Sequence, residues 1–422
     1  QENSYVPGEK WIAAHVSLFG SNPKERQVYY RVPAYVVIDG SDYRYGGFDN
    51  YAASGMITES YNPGFYTEQA YYFLSDVTTM DLANAAEVES FKFHHNDDVD
   101  AYDDPVFSYT FKVTPEAIAA NGGCKWRVAP QSTVGTSNWA KTIGPKYDGD
   151  TELQGELVSE NAGYGLITKS GRYELTINMK EMTYTLVELP NVIYMVGAPQ
   201  GWNINNNAVY LPETYDGSNI YSGLVKVDAG QGIFRFYSQL GNWDKSSIGA
   251  ADGDSTIDIT LDANGVYTGS LFETGVNANN SKFNWQLPNW AGGALEITLN
   301  LNAMTIEIKK ASVNTGIYLR GGMNGWGSDP AYEFLLTNET GIYAIDELTI
   351  SANTEFKVAD ASWGAINFGA GEDNVIVPDT PYELVAGSQK NISLKVDFNG
   401  KATLTKTGAA YSLMLITSKD EE

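Results

Sequence analysis

Apolar and polar residues alternate with a period of two in several short stretches of the chain, and no stretch shows the three-to-four-residue spacing of a buried helix face. The clearest stretch is Tyr173, Leu175, Ile177 and Met179, followed after a turn by Tyr184 and Leu186. The same design returns in Leu295, Ile297, Leu299 and Leu301, then Ile306 and Ile308. It returns again in Ile392, Leu394, Val396 and Phe398, then Ala402 and Leu404. Each predicts two half-buried antiparallel strands joined by a tight turn, because successive side chains of a strand point to opposite faces. Residues 28–38 also read as β-rich, and the only predicted helix is a turn or two near Thr114–Ala120.

These pairs close repeating segments. Two segments open alike, with Ile193, Tyr194, Met195, Val196 and Gly197 before Gly201 and Trp202, and with Ile317, Tyr318, Leu319, Arg320 and Gly321 before Gly325 and Trp326. A third opens with Tyr71, Tyr72, Phe73 and Leu74, and carries Met80 in place of the first tryptophan. Each also has a middle block: Phe234, Arg235 and Phe236 with Trp243; Phe356, Lys357 and Val358 with Trp363; and, less well matched, Cys124, Lys125 and Trp126 with Trp139. Turns rich in Gly and Asp follow, at 148–150, 252–254 and 371–374. One strand order recurring every 110 to 120 residues or so means one fold used three times. The expected class is all-β, with tandem antiparallel β-sandwich domains of immunoglobulin-like type. The expected boundaries are an N-terminal β-rich segment or small domain at 1–69, then repeats at 70–190, 191–311 and 312–422.

Composition narrows the partners. The 422 residues carry a formal net charge of -25. That argues against nucleic acid and anionic lipid, both of which need clustered Lys and Arg. The single cysteine, Cys124, permits no intrachain disulfide, and its place in an alternating run predicts a buried small side chain. No stretch has the length and apolarity of a membrane-spanning helix. The first residues are polar, so an export signal and any lipid-bearing cysteine are expected upstream of this sequence.

Aromatic residues make up 13% of the chain, with nine tryptophans. An indole face packs well against the C–H face of a pyranose ring, while a neighbouring cation or amide grips ring hydroxyls. Two repeats offer these parts: Trp202, Arg235 and Trp243, and Trp326, Lys357 and Trp363. Trp202 and Trp326 follow a glycine in loops, and Trp243 and Trp363 lie beyond a strand among Gly, Asn, Ser and Asp, where platform and core roles are evenly matched. Trp126 alternates within a strand and is expected in the core. Lys125 and Trp139 are the weaker candidates in the first repeat. Trp285 and Trp290, in what reads as an insertion special to the second repeat, either extend its site or cap its sandwich, with partial capping the preferred reading.

Other chemistry finds little support. Asp97, Asp98, Asp100, Asp103 and Asp104 follow His94 and His95, but the spacing fits no calcium loop and reads as a solvated turn. No metal or cofactor is expected. The three histidines are absent from the second and third repeats, and no nucleophile elbow, zinc motif or phosphate loop appears. Catalysis is not expected. A pair of carboxylates for glycoside hydrolysis remains the less favoured alternative, beside a purely structural or adhesive role for the repeats.

The shared blocks, above all Glu355, Phe356, Lys357 and Val358 through Trp363, Ile366, Asn367 and Gly369, resemble the SusE/SusF type of starch-utilisation outer-membrane lipoproteins of gut anaerobes. The resemblance covers about 70–422. It implies carbohydrate-binding-module-like sandwiches and a lipid-anchored, surface-exposed protein without enzymatic activity. Such a protein would hold polysaccharide or oligosaccharide beside a TonB-dependent porin and its glycan-binding lipoprotein. Paired aromatics and a basic residue would form each sugar site, which carries over to Trp202, Arg235 and Trp243, and to Trp326, Lys357 and Trp363. The starch preference of the family does not carry over from these motifs.

Overall fold

The computed structural model describes residues 67–96, 99, 101, 103–250, 256–277 and 283–418, with the backbone of four short strands at His15–Ser17, Tyr29–Arg31, Tyr35–Ile38 and Ser41–Arg44. Two of those strands fall within the 28–38 stretch. Asp97, Asp98, Asp100 and the 252–254 turn lie outside the described residues. The fold is all-β, built from antiparallel strands, with short helical pieces between them. The chain forms two compact units, one mainly of residues 1–189 and one mainly of residues 190–422. None of the described helices is long and apolar enough to cross a membrane.

In the first unit a three-stranded sheet, Tyr71–Ser75, Cys124–Pro130 and Gly165–Ile167, faces a four-stranded sheet built around Val106–Val113, Gly171–Asn178 and Thr183–Leu189. The inward positions of both sheets supply one core, including Phe73, Phe107, Trp126, Leu175 and Ile177. Trp126 is fully buried, as its alternation predicts, and each such side chain contributes about 1.5–3 kcal/mol by leaving water. Cys124 lies in the same core, where burial pushes its thiol up to about 12 and leaves it unreactive. The one regular helix foreseen forms at Pro115–Asn121: Thr114 caps it by accepting from the Ala117 N–H, proline opens it, and Gly122 ends it at φ 70°.

The second unit holds two cores. One joins Met195, Phe234, Phe236, Trp285, Leu295 and Ile297; the other joins Leu319, Phe356, Val358, Ile392, Ala402 and Leu404. The two sandwiches share a strand plan. In one, Val192–Gly197 pairs with Ile233–Tyr237, which also pairs with Trp285–Gln286. In the other, Asn314–Gly321 pairs with Glu355–Asp360, which also pairs with Ile392–Leu394. The short third strand is paired in parallel in both, by Ile257–Asp258 and by Val375–Ile376. A turn of the third repeat docks on the second: the Thr340 N–H donates to Ala208 O at 2.7 Å, and Thr340 Oγ1 accepts from the Tyr210 N–H at 2.9 Å.

This plan corrects two expectations. The closing pair of the third repeat is Phe398–Thr407 with Ala410–Thr417, turning at Gly408, rather than a pair beginning at Ile392. Ile392–Leu394 is the counterpart of Trp285–Gln286, so Trp285 belongs to the common plan and not to an insertion. Both stretches alternate at period two, and pattern alone does not say which strand pairs with which.

Candidate functional site

In the third repeat the candidate side chains meet on the outer face of the opening strand pair, opposite the core. The strand Asn314–Gly321 ends on Gly321, whose added Cβ would lie 2.4 Å from Glu355 O. Only glycine fits that close approach. A short 3-10 turn, Gly322–Asn324, follows, then Gly325 at φ 61° and Trp326 at φ 64°. A bulky residue in the left-handed region is strained, and such strain persists only where the surroundings fix it. Here the Trp326 N–H donates back to Gly321 O at 2.8 Å, and Asn324 Oδ1 accepts from the Gly321 N–H at 2.9 Å while its Nδ2 donates to Leu319 O at 2.9 Å. The spacing Gly–x–x–x–Gly–Trp is thus a device that lifts an indole out of a strand end.

Trp363 reaches the same place from the other strand. Asp360 ends Glu355–Asp360, and its carboxylate accepts from the N–H groups of Ser362, Gly364 and Ile366 and from Ser362 Oγ. These bonds hold its carboxyl below the usual carboxylate range. They also fold the loop that carries Trp363 at φ 59°. The two indoles lie 6.2 Å apart between ring centroids, tilted by 39°. Both are half-buried.

Arg320 ties the pair together. Its guanidinium carbon sits 3.9 Å from the Trp363 ring centroid. Its Nε and Nη2 donate to Trp326 O at 2.9 and 2.6 Å, and its Nη1 donates to Asp360 O at 2.7 Å and Ala361 O at 3.1 Å. Lys357 stands opposite Arg320 in the register, 5.8 Å from the same ring. Lys357 is only 6% exposed, and its ammonium donates to Ser388 O at 2.6 Å. Burial lowers its pKa. Lys357, expected to grip hydroxyls, is thus buried beside Trp363 with its ammonium held on the backbone. Arg320, which motif reading passed over, is the side chain that stacks on Trp363. Its signal was present as an arginine at an outward position of an otherwise apolar strand.

The second repeat keeps the turn and changes the support. Gly197 approaches Ile233 O as Gly321 approaches Glu355 O, Gly201 takes φ 63°, and Trp202 takes φ 57° with its N–H on Gly197 O at 2.8 Å. Val196 fills the place of Arg320 and joins an apolar cluster with Ile204, Tyr237 and Leu240. Gln200 fills the place of Asn324; it is buried, and neither end of its amide finds a hydrogen-bond partner. Arg235, opposite Val196, is 0% exposed, and it donates from Nε to Asn284 Oδ1 at 2.8 Å and from Nη1 to Ser247 Oγ at 3.3 Å. Arg235 therefore serves a buried polar network, not a solvent-facing grip, since a charge this deep must be hydrogen-bonded. Trp202 is 40% exposed and Trp243 36%, the latter meeting Tyr237 edge-on at 6.1 Å. Trp285 is sealed in the core, which excludes it from a surface site. Trp290 packs on the rim of that core and donates from Nε1 to Val227 O at 2.8 Å, a capping role.

The first repeat needs a shift of two residues. Ser75 faces Trp126 in the register as Gly321 faces Phe356, so the counterpart of Lys357 is Arg127 and not Lys125. Arg127 lies 6.0 Å from the Trp139 ring centroid, donates to Thr142 Oγ1 at 3.2 Å and pairs with Asp148 at 3.8 Å. Lys125 sits instead 5.0 Å from the Tyr164 ring. Leu74 occupies the place of Arg320, and with Tyr72, Leu82, Val88 and Ala129 it forms an apolar cluster on the outer face. Met80 and Trp139 pack against that cluster. The place that presents rings in the third repeat is closed over in the first. His95 Nε2 contacts Asp104 O at 2.6 Å, and the described residues contain no cluster of metal-ligating side chains.

With this geometry in view, comparison with known proteins gives a match to a family profile and likenesses among solved structures. Residues 66–188 match the family profile described as SusF, first starch-specific CBM. The first repeat is therefore similar to that module, in line with the resemblance drawn from the repeated blocks. Among solved structures, the crystal structure of SusF from Bacteroides thetaiotaomicron aligns at 14% sequence identity over 92% of this chain and 80% of that one, with a TM-score of 0.24. At that score the alignment is a likeness only. No curated protein matches the chain.

Proposed function

We propose that this chain is a non-catalytic, surface-displayed glycan-binding protein whose second and third repeats present paired tryptophans to a polysaccharide. The observation that carries the reading is Trp326 and Trp363, held 6.2 Å apart by an arginine that stacks on one and bonds the backbone of the other. Two tilted rings fixed in advance form a cradle for successive sugar units, and fixing them in advance cuts the ordering cost of binding. Trp202 and Trp243 stand at the corresponding places of the second repeat and are exposed. The cations act from behind: Arg320 and Lys357 anchor the indoles, while the exposed ring faces meet the ligand.

We take the domains as three, at 70–190, 191–311 and 312–422, after an N-terminal segment. The similarity of residues 66–188 to a module described as starch-specific makes an α-glucan the first ligand to test. The wider SusE/SusF resemblance supports outer-membrane anchoring through a lipid and work beside a TonB-dependent porin and its glycan-binding lipoprotein. The net charge of -25 suits a neutral polymer. Affinity electrophoresis in gels containing starch, xylan or another polysaccharide tests the reading. The parent chain is retarded by at least one polymer, and the doubly substituted Trp243→Ala, Trp363→Ala chain, still folded, runs nearly free. Unchanged retardation of that variant, or reducing sugar released by the parent chain, would overturn the proposal.

A further inference from the structure

The first repeat has a feature that none of the platform chemistry uses. At one end of its sandwich lies a cavity of about 550 Å³, bounded by the start of Tyr71–Ser75, the segment after Cys124–Pro130 and the turn after Gly171–Asn178. Its volume falls in the range of roughly 300–1,000 Å³ that encloses a small ligand, not a length of polymer. The lining mixes apolar and polar groups. Tyr71, Ile143 and Met179 are buried, as are Thr133 and Glu68, whose carboxylate accepts from Ser132, and Met182 is half-buried beside them. Asn138, Lys141 and Glu160 are exposed and polar.

This mixture suits an amphipathic ligand. The half-buried Met182 can adapt to an irregular apolar face such as the C–H face of a sugar ring, while amide, ammonium and carboxylate groups at the mouth can exchange their bonds for hydroxyls. Lys141 and Glu160 pair with each other, and both are more than half exposed, so their bond is readily exchanged. The ionisable lining is balanced, with two glutamates, Glu68 and Glu160, against two lysines, Lys141 and Lys180. A balanced site favours an uncharged ligand. A cavity in place of a ledge favours the end of a chain. The outer face of this repeat is meanwhile closed by Leu74 and its neighbours.

We infer that the first repeat takes the end of an uncharged oligosaccharide in this cavity, a site of its own in addition to the rings of the other two repeats. The inference rests on the glycan-binding reading above. Its test uses the full chain with Trp202, Trp243, Trp326 and Trp363 all replaced by alanine, titrated calorimetrically with maltotriose, cellotriose and xylotriose. One trisaccharide is expected to bind at one equivalent per chain. Ser159→Trp, an exposed lining position, should abolish that binding by filling the mouth. Lys141→Ala and Asn138→Ala, also at exposed positions, should each weaken it 3- to 10-fold. Absence of binding by all three sugars overturns the inference, as does binding unchanged by all three of these substitutions. Polysaccharide gels run in parallel separate the two readings. If the parent chain is retarded and the fourfold variant binds no trisaccharide, the cavity assignment falls alone. If the fourfold variant is retarded as strongly as the parent, the ring platforms fall and the cavity does not.

Discussion

The second and third repeats build the same strand pair and the same glycine-tryptophan turn, yet they hold their tryptophans in different ways. The third places Arg320 under Trp363 and against the backbone of Trp326, so one side chain fixes both rings. The second places Val196 there, and its outer face becomes a small apolar cluster. The cation on the facing strand responds. Lys357 stays close to Trp363, whereas Arg235 turns to Asn284 and Ser247 and is lost to solvent. The outward residue of the opening strand and the placing of the facing cation thus differ together between these two repeats. The first repeat carries the change further, since Leu74 at that position seeds an apolar cover over the whole face.

The comparison breaks most sharply at Arg320. Arg320→Ala strips four hydrogen bonds and one stacking contact, leaving polar carbonyls to find water. It should lower stability by about 2–3 kcal/mol and weaken glycan binding by the third repeat roughly tenfold or more. Thermal unfolding and calorimetry in a Trp202→Ala, Trp243→Ala background measure both. Val196→Ala, measured in a Trp326→Ala, Trp363→Ala background, should leave the affinity of the second repeat almost unchanged, and an equal loss in the two variants would erase the distinction drawn here.

Arg235→Met comes next in size. It leaves Asn284 and Ser247 without their buried donor and should cost about 1–3 kcal/mol of stability with no direct loss of affinity. A Lys357→Met variant should instead weaken ligand binding more than it lowers the melting temperature. If Arg235→Met abolished binding while stability held, Arg235 would have to reach the ligand after all.

A smaller effect sharpens the comparison from the favourable side. Asn324 closes its turn with two bonds, whereas the longer Gln200 makes neither. Gln200→Asn should therefore stabilise the second repeat, by about 1 kcal/mol, read as a higher melting temperature. No gain would mean that the two turns are not equivalent.

The smallest effect is with pH. Hydrogen bonds hold the Asp360 carboxyl below its ordinary value of 3.8. A lowered carboxyl contributes stability that is fully present above the unfolded value and is lost as the pH falls through the folded one. The Trp363 loop should keep its near-ultraviolet signal from neutral pH down to about pH 4 and lose it only below. Asp360→Ala should show the loosened loop throughout. A loss already evident near pH 6 would contradict this assignment.

Much of this architecture was legible along the chain. Alternation at 173–179 and 295–301 gave true strands, because each has one face on a core and one outside it. The glycine-tryptophan spacing gave both exposed turns, because close approach and positive φ each restrict the residues allowed. What the sequence left open depended on partners distant along the chain. Lys125 and Arg127 both point outward, and only the pairing of Ser75 with Trp126 picks Arg127 as the one beside Trp139. Arg235 and Lys357 read alike in their motifs, and their partners differ because Asn284 and Ser247 meet the one and Ser388 O the other. Trp285 looks like an addition to one repeat because alternation alone places its counterpart, Ile392, in a different strand.

On the function proposed above, the rings of Trp202, Trp243, Trp326 and Trp363 meet the glycan while those of Trp126 and Trp285 do not. Indole N–H resonances of the full chain, followed by nuclear magnetic resonance as a binding oligosaccharide is titrated in, test it most directly. The expected result is progressive movement of the four surface indole signals, strongest for Trp326 and Trp363, with the signals of Trp126 and Trp285 stationary. Movement of the core pair with the four others fixed would contradict it.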